Sequence, residues 1–307
     1  MNSKQSFRKM KRRMKTAVLL AVLIAAAVLA LLTRFGVISL HKQPAAPDAA
    51  TSVRFIDVGQ GDCTLAVSDG EAMLIDSGES DERDRVISYI KSLGIKRLEH
   101  IIVTHPHSDH MGEMADIINS FEVGQVIMPL LPEELILKNY SYEKLTKAAE
   151  RNGVRLTAAC NESFQLGGMK VITFVPEEYT EDLNNDSVVV MLKHGDNSFL
   201  VTGDCGKAEE EQLLRQGADL GADVLKVGHH GSSSASSELF LAAVRPMYAV
   251  ISCGAANDYG HPHEQTLIRL KAFTDKIYTT RDSGTVTFVS DGKGMTVYTE
   301  KQDTANS

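Results

Sequence analysis

Three imidazoles and a carboxylate fall within six positions of the stretch Thr104-His105-Pro106-His107-Ser108-Asp109-His110, directly after the apolar run Leu98-Glu99-His100-Ile101-Ile102-Val103. No ordinary strand or helix face has this composition. Imidazole nitrogen and carboxylate oxygen bind zinc and neighbouring divalent ions at about 2.0–2.2 Å, and a loop at a strand end can aim several such groups at one place. The spacing H-x-H-x-D-H therefore suggests two adjacent ions, with His105 and His107 on one and Asp109 and His110 on the other. A polar loop merely rich in His is the plainer alternative. Against it stand further candidates at later strand ends: Gly203-Asp204, Gly228-His229-His230-Gly231-Ser232, and the run from Asn257 to His263.

Elements that would position these groups alternate from Val53 onward. Short apolar runs at 53–58, 72–76, 125–128, 170–175, 187–193, 198–202, 222–227 and 248–252 predict strands, with final strands up to Thr299. Helical spacing predicts helices over 81–93, 111–118, 142–152, 207–216, 237–244 and 264–273, the first stopping at Gly94. His194-Gly195-Asp196-Asn197 reads as a hairpin turn. The fold class expected is α/β, a sandwich whose loops gather at the carboxyl ends of strands. Residues 131–140 read as a flap over the site or as a plain surface loop.

Charge divides the chain. Seven of its 32 Lys and Arg lie in residues 1–15, which carry no acid, so the rest holds 25 basic against 40 acidic side chains, a net of about −15. Such a body repels phosphate backbones at long range, and a nucleic-acid substrate would need the metals and a local basic patch to hold it. The basic segment 1–15 precedes an uncharged apolar stretch, 16–33, long enough to cross a thin bilayer. By the positive-inside rule the expected arrangement is a single-pass anchor in the cytoplasmic membrane, amino end inside and the rest of the chain outside. A cleaved signal peptide and a secreted product form the competing reading. Residues 34–52, Pro- and Ala-rich at their centre, read as a linker, 53–299 as the main domain and 300–307 as a tail. The four Cys are widely spaced without a C-x-x-C, as expected of buried thiols rather than a disulfide framework.

The ordered set Phe55 to Asp62, Ile75-Asp76-Ser77-Gly78, Thr104 to His110, Leu200 to Asp204, Leu225 to Ser232 and Tyr259-Gly260-His261-Pro262 resembles the metallo-β-lactamase superfamily. Within it, the chain is similar to the extracellular hydrolase domain of ComEC-type competence proteins over residues 53–299. The resemblance implies an αββα sandwich and two divalent ions, Zn²⁺ or Mn²⁺. It places His105 and His107 on the first ion, Asp109 and His110 on the second, Asp204 between them, and His229 or His230 completing the second, with His229 preferred as nearer the strand end. The superfamily's third His for the first ion has no counterpart. Asn184-Asn185-Asp186-Ser187 stands in its place, which implies a weak first site. ComEC's multi-spanning channel segments are also missing, so the chain is not expected to transport DNA itself.

The chemistry expected is hydrolysis of a phosphoester by a metal-bridged hydroxide, with Asp109 orienting it and His261 stabilising charge on the substrate. Ser232, Asn257 and Tyr259 are the candidate substrate contacts. By analogy the substrate is a phosphodiester, single-stranded DNA among the candidates; phosphocholine-type esters, lactones and thioesters are alternatives. A membrane-tethered binding module without turnover is the reading from a different class. No protein partner is inferable. Asp57 and Asp62 read as turn-forming or supporting, and His100, His194 and His263 as surface or structural.

Overall fold

A computed structural model of the chain describes residues 50–79, 83–129, 139–178, 180 and 182–301. The expected basic segment, the apolar anchor, almost all of the linker, nearly all of the expected flap and most of the tail lie outside the described residues. Among the described residues no helix is long and apolar enough to cross a membrane.

The elements run β1 (Thr51–Phe55), β2 (Thr64–Ser68), β3 (Glu71–Ile75), α1 (Arg83–Ser92), β4 (Arg97–Ile102), α2 (Ser108–Met111), α3 (Met114–Ser120), β5 (Glu122–Met128), α4 (Tyr140–Asn152), β6 (Arg155–Ala158), β7 (Glu162–Leu166) and β8 (Met169–Phe174). They continue as β9 (Val189–His194), β10 (Asn197–Val201), α5 (Lys207–Arg215), β11 (Val224–Lys226), α6 (Glu238–Val244), β12 (Tyr248–Ile251), α7 (Glu264–Lys271), β13 (Ile277–Thr279), α8 (Thr280–Ser283), β14 (Val286–Ser290) and β15 (Met295–Thr299). Two sheets result: eight strands ordered β15-β14-β1-β2-β3-β4-β5-β6, and seven ordered β13-β12-β11-β10-β9-β8-β7.

Alternation along the strands assigns each side chain to a layer. Met73, Ile75, Ile102 and Ile127 of the first sheet face Val190, Leu192, Phe199 and Val201 of the second in one core between the sheets. The intervening residues turn outward. Leu74, Ile101 and Val126 pack with Val86, Ile90, Ile117 and Leu145 from α1, α3 and α4. On the other side Met191, Leu200 and Leu225 pack with Leu213, Phe240 and Leu270 from α5, α6 and α7. The sandwich is helix, sheet, sheet, helix, as expected.

The structure differs from the sequence reading at three places. Strands β2, β6 and β7 were not expected; β6 and β7 present exposed polar residues, which weakens an apolar signal. The helix expected over 111–118 is broken at Gly112-Glu113, and its first part starts at Ser108, so Asp109 and His110 stand on a helical turn rather than a loop. Cys160 is exposed, while Cys63, Cys205 and Cys253 are buried and all four are free. The turn after β9 is as expected, and His194 points its Nδ1 at Ser290 Oγ, 2.8 Å away.

Two glycines, Gly61 beside the first sheet and Gly203 at a strand end of the second, allow close backbone approaches. At Gly61 (φ +131°) a Cβ would stand 2.4 Å from the Asp109 carbonyl, and at Gly203 (φ +50°) 2.7 Å from the Thr104 side chain. Both contacts bring a strand-end loop against the H-x-H-x-D-H segment.

Candidate metal centre

Asp76 leaves β3 in a left-handed conformation, φ 59°. Its carboxylate accepts hydrogen bonds from the Thr104 backbone N–H at 2.8 Å and the Thr104 hydroxyl at 2.7 Å. It also accepts from His110 Nδ1 at 2.8 Å. A ring whose Nδ1–H is held this way turns its Nε2 forward with the lone pair free. There it lies 3.2 Å from Asp204 Oδ1 and 3.9 Å from Asp109 Oδ2. On the other side, His105 Nε2 lies 3.0 Å from His107 Nδ1.

The second sheet supplies the remaining groups. Asp204 follows β10, its backbone N–H donating to Ser187 Oγ at 3.2 Å. The turn Gly228–Gly231 after β11 places both His229 (φ 49°, ψ 48°) and His230 (φ 53°, ψ 22°) in the left-handed region. For side chains with a Cβ this costs on the order of 1 kcal/mol or more each and persists where surrounding contacts enforce it. His230 is buried, donates from Nδ1 to the Ser252 carbonyl at 3.0 Å, and lies with Nε2 3.1 Å from Asp109 Oδ2 and 3.5 Å from Asp204 Oδ1. His229 is more open; its Nε2 is 3.6 Å from Asp204 Oδ2 and its Nδ1 3.3 Å from Ser234 Oγ.

Ligand atoms of His105, His110 and Asp204 lie within 4.8 Å of one another, as do those of Asp109, His110 and His230. The second group contains His230 and not His229, the reverse of the preference drawn from strand-end proximity. Two successive left-handed residues decide the direction of each ring, and adjacency in sequence does not show it. His107 stands beside the first group, and His229 beside Asp204.

The donors fit divalent ions. Burial alone would lower the His110 and His230 imidazoles, but the carboxylates around them, Asp204 first, hold His110 well above its usual range and His230 at about 10. Burial would likewise raise Asp204 and Asp109, and His230 with His110 outweighs it, so both stay well below the usual carboxylate range. His105, enclosed and beside His110, is pushed well below its usual value. An anionic nest that gathers protons onto its imidazoles is one where metal cations can take the place of those protons. His110 Nε2 and Asp204 Oδ1 face each other without either making a hydrogen bond, as buried polar atoms awaiting a third group do.

Around the mouth, Tyr259 is 67% exposed and its ring stacks on His261 at 5.6 Å with 19° between planes. His261 is buried with Nδ1 unpartnered, and burial, then His230 and His229, lower it to about 4. Asn257 was a candidate substrate contact, but its amide is already committed: Nδ2 donates to the Gly254 and His261 carbonyls and Oδ1 accepts the His261 N–H. It braces the loop that carries His261. Ser232 Oγ, nearly enclosed, is engaged with Ser234 Oγ at 3.0 Å. Where a third His was missed, Ser187 Oγ stands 3.5 Å from His105 Nδ1. Asp57 pairs with Arg85 at 3.2 Å and Lys301 at 3.1 Å, a supporting place. The role of Asp76 was not anticipated; the Asp-Ser-Gly strand exit was the available signal.

The profile of the Metallo-beta-lactamase superfamily matches residues 56–255. This chain belongs to that superfamily. Curated relatives place it near its competence branch. It is 30% identical to ComE operon protein 3 of Bacillus subtilis, over 77% of this chain and 32% of that protein. Recombination protein 2 of Haemophilus influenzae is 32% identical, over 81% and 30%. Competence protein ComA of Neisseria gonorrhoeae is 31% identical, over 84% and 35%. The chain thus spans about a third of the length of these relatives. Among solved structures, the metallo-β-lactamase fold protein YhfI from Bacillus subtilis superposes with a TM-score of 0.50 at 10% identity, covering 80% of this chain and 99% of that one. CmlA, a diiron β-hydroxylase from Streptomyces venezuelae, gives 0.52 at 14% identity, covering 81% and 55%. Both similarities speak to the fold alone. A metallo-β-lactamase fold with these convergent His and Asp side chains makes the chain a candidate metal-dependent hydrolase.

Proposed function

We propose that this metallo-β-lactamase chain is a two-metal phosphodiesterase, with a nucleic acid strand as its leading substrate, held outside the cytoplasmic membrane by residues 16–33. The convergence of His105, His110 and Asp204 with Asp109 and His230 on one spot between the two sheets carries this reading. His105, His107, His110, Asp109, Asp204 and His230 would hold the ions, whether Zn²⁺ or Mn²⁺. Bound there, divalent ions lower the pKa of water and steady the oxygens of a phosphate during in-line attack.

The chain's own residues do the rest. Asp109 Oδ2 lies 3.1 Å from His230 Nε2, so its carboxylate faces the reacting centre, where it can orient a nucleophilic water. His110 is locked by Asp76 and cannot rotate away. His261, neutral near pH 7, can hydrogen-bond a phosphate oxygen, and the exposed Tyr259 face beside it can stack on a planar group of the substrate. The names of the relatives, competence and recombination proteins, support the nucleic-acid choice. The acidic body makes the phosphate-binding term local to the centre and its metals.

The test is turnover of bis(p-nitrophenyl) phosphate and of single-stranded DNA by the purified chain with added Mn²⁺ or Zn²⁺. His105→Ala and Asp204→Ala serve as controls. Metal-dependent cleavage lost in both variants supports the reading. Bound metal with no turnover of either substrate overturns it in favour of carboxylic esters, lactones or thioesters, and no bound metal leaves a tethered binding module.

A further inference from the structure

Lys226 is among the largest fully enclosed side chains of the molecule. It ends β11, whose Leu225 turns to the outer helices while Val224 faces the inter-sheet core. Lys226 shares the inward side with Val224. Burying an ammonium costs several kcal/mol unless it is paired and hydrogen-bonded, so a Lys at a position suited to Val or Ile calls for a reason.

Its partners supply one. The ammonium forms a close ion pair with Asp62 and donates to the Gly203 carbonyl at 3.3 Å. Gly203 immediately precedes Asp204, so one contact fixes the strand end of the second sheet. Asp62 belongs to the turn after β1 on the first sheet's side. Its backbone N–H donates to the Asp109 carbonyl at 3.0 Å, and its own carbonyl accepts from Gly78 at 2.8 Å. Its carboxylate stands 3.4 Å from His230 Nδ1 and 3.9 Å from His110 Nδ1, behind both rings. The candidate ligands come in two halves, His105 to His110 from the first sheet and Asp204 with His230 from the second. Lys226 joins the supports of both.

We propose that Lys226 is a positioning residue of the metal centre, its ammonium tying Asp62 to the Gly203 carbonyl and so setting the register between the ligand halves that the two sheets supply. This rests on the reading that those imidazoles and carboxylates hold divalent ions; it does not depend on which ester is cleaved. A merely structural ion pair would change the stability of the metal-free fold and leave metal affinity alone.

The experiment compares the wild-type chain with Lys226→Met, Asp62→Asn and the double variant. Zn²⁺ or Mn²⁺ alone is the probe, titrated in competition with a chromophoric chelator, and metal-free stability is followed by circular dichroism in urea. Loss of an outer support to metal ligands weakens metal binding about 10- to 100-fold, and that loss is expected for Lys226→Met and for Asp62→Asn. The double variant should lose no more than the worse single one, because both act through one link. Folded Lys226→Met with wild-type metal affinity overturns the proposal, and so do losses that add in the double variant. Should Lys226→Met fail to fold, Asp62→Asn and the double variant decide by the same criteria. A wild-type chain that binds metal but cleaves no phosphodiester defeats the proposed function while leaving this inference to be judged on affinity. A wild-type chain that binds no metal overturns both.

Discussion

The back of the centre and its mouth are constructed differently. Behind the ligands, Asp76 receives hydrogen bonds from the Thr104 backbone and hydroxyl and from His110, all of them buried. At the mouth, Tyr259 is 67% exposed, His229 keeps part of its ring in solvent, and His261 Nδ1 has no partner. Groups with every valence taken cannot move without leaving a buried polar atom unsatisfied, at about 1–3 kcal/mol each. Groups with valences to spare can be recruited by a substrate. The back therefore sets where metals and charge lie, and the mouth sets what is bound, so substitutions at the two should fail in different ways.

The greatest loss is expected at His110, which faces Asp76 with one nitrogen and Asp204 with the other and belongs to both groups that would hold the ions. His110→Ala should abolish bound metal, read by elemental analysis, and turnover with it. Retained metal would show that the two groups do not depend on their common member. Next comes Gly61, at the back and packed on the backbone of Asp109. In Gly61→Ala the new Cβ meets the Asp109 carbonyl at 2.4 Å in a backbone conformation, φ +131°, that disfavours side chains. Relief by moving either loop should cost about 1–3 kcal/mol in urea unfolding and also weaken metal binding, because Asp109 moves with its carbonyl. A variant less stable but equal in metal affinity would uncouple the turn from the centre.

Legibility from sequence follows the same division. The H-x-H-x-D-H run could be read because its donors are consecutive, and Asp204 and the His229-His230 pair because strand ends are where sites collect. What sequence could not show is direction. Neighbouring imidazoles at 229 and 230 both turn Nε2 towards Asp204, at 3.6 and 3.5 Å, and of the two His230 also reaches Asp109, through a backbone conformation that residue types do not announce. Asp76 looked like a strand exit, since an Asp before Ser-Gly is normal turn chemistry, and only the fold brings Thr104 and His110 onto it. Lys226 was hidden for a related reason. A parallel strand buried on both faces reads as an apolar run, and one charged residue in it looks like noise until the facing carboxylate is known. The alternating layers were readable in β3, β9 and β10, whose apolar runs are strong, and not in β6 and β7, whose outward residues are polar.

The mouth should answer to substrate rather than to metal. Tyr259→Ala removes an exposed ring, so stability is expected to stay within about 0.5 kcal/mol and metal affinity to be unchanged. If the ring stacks on the substrate, loss of about 1 kcal/mol raises KM for a single-stranded oligonucleotide about fivefold and leaves kcat in place. Tyr259→Phe, which keeps the aromatic face, should restore KM. An equal fall in kcat, or no rescue by Phe, would move Tyr259 out of the binding role.

The smallest effect is expected from a buried acid behind the back wall. Glu209 is fully enclosed, accepts the Ser187 N–H at 3.3 Å, and is pushed by burial well above the ordinary value of 4.5. The folded chain therefore holds a proton that the unfolded chain releases over the pH range above 4.5. Its contribution to stability is complete below that range and declines as pH rises through the folded value, then levels off. Glu209→Gln keeps an oxygen for Ser187 and removes the titration. Urea unfolding of the metal-free chain at a series of pH values should show a fall with rising pH in the wild type that is shallower in the variant. Glu210, also raised by burial, contributes a slope to both chains and cancels in the comparison. Because Ser187 stands between Glu209 and the site, metal affinity should match the wild type. Equal slopes would mean that Glu209 is charged in the folded state, and a changed affinity would extend the back wall one residue further than Ser187.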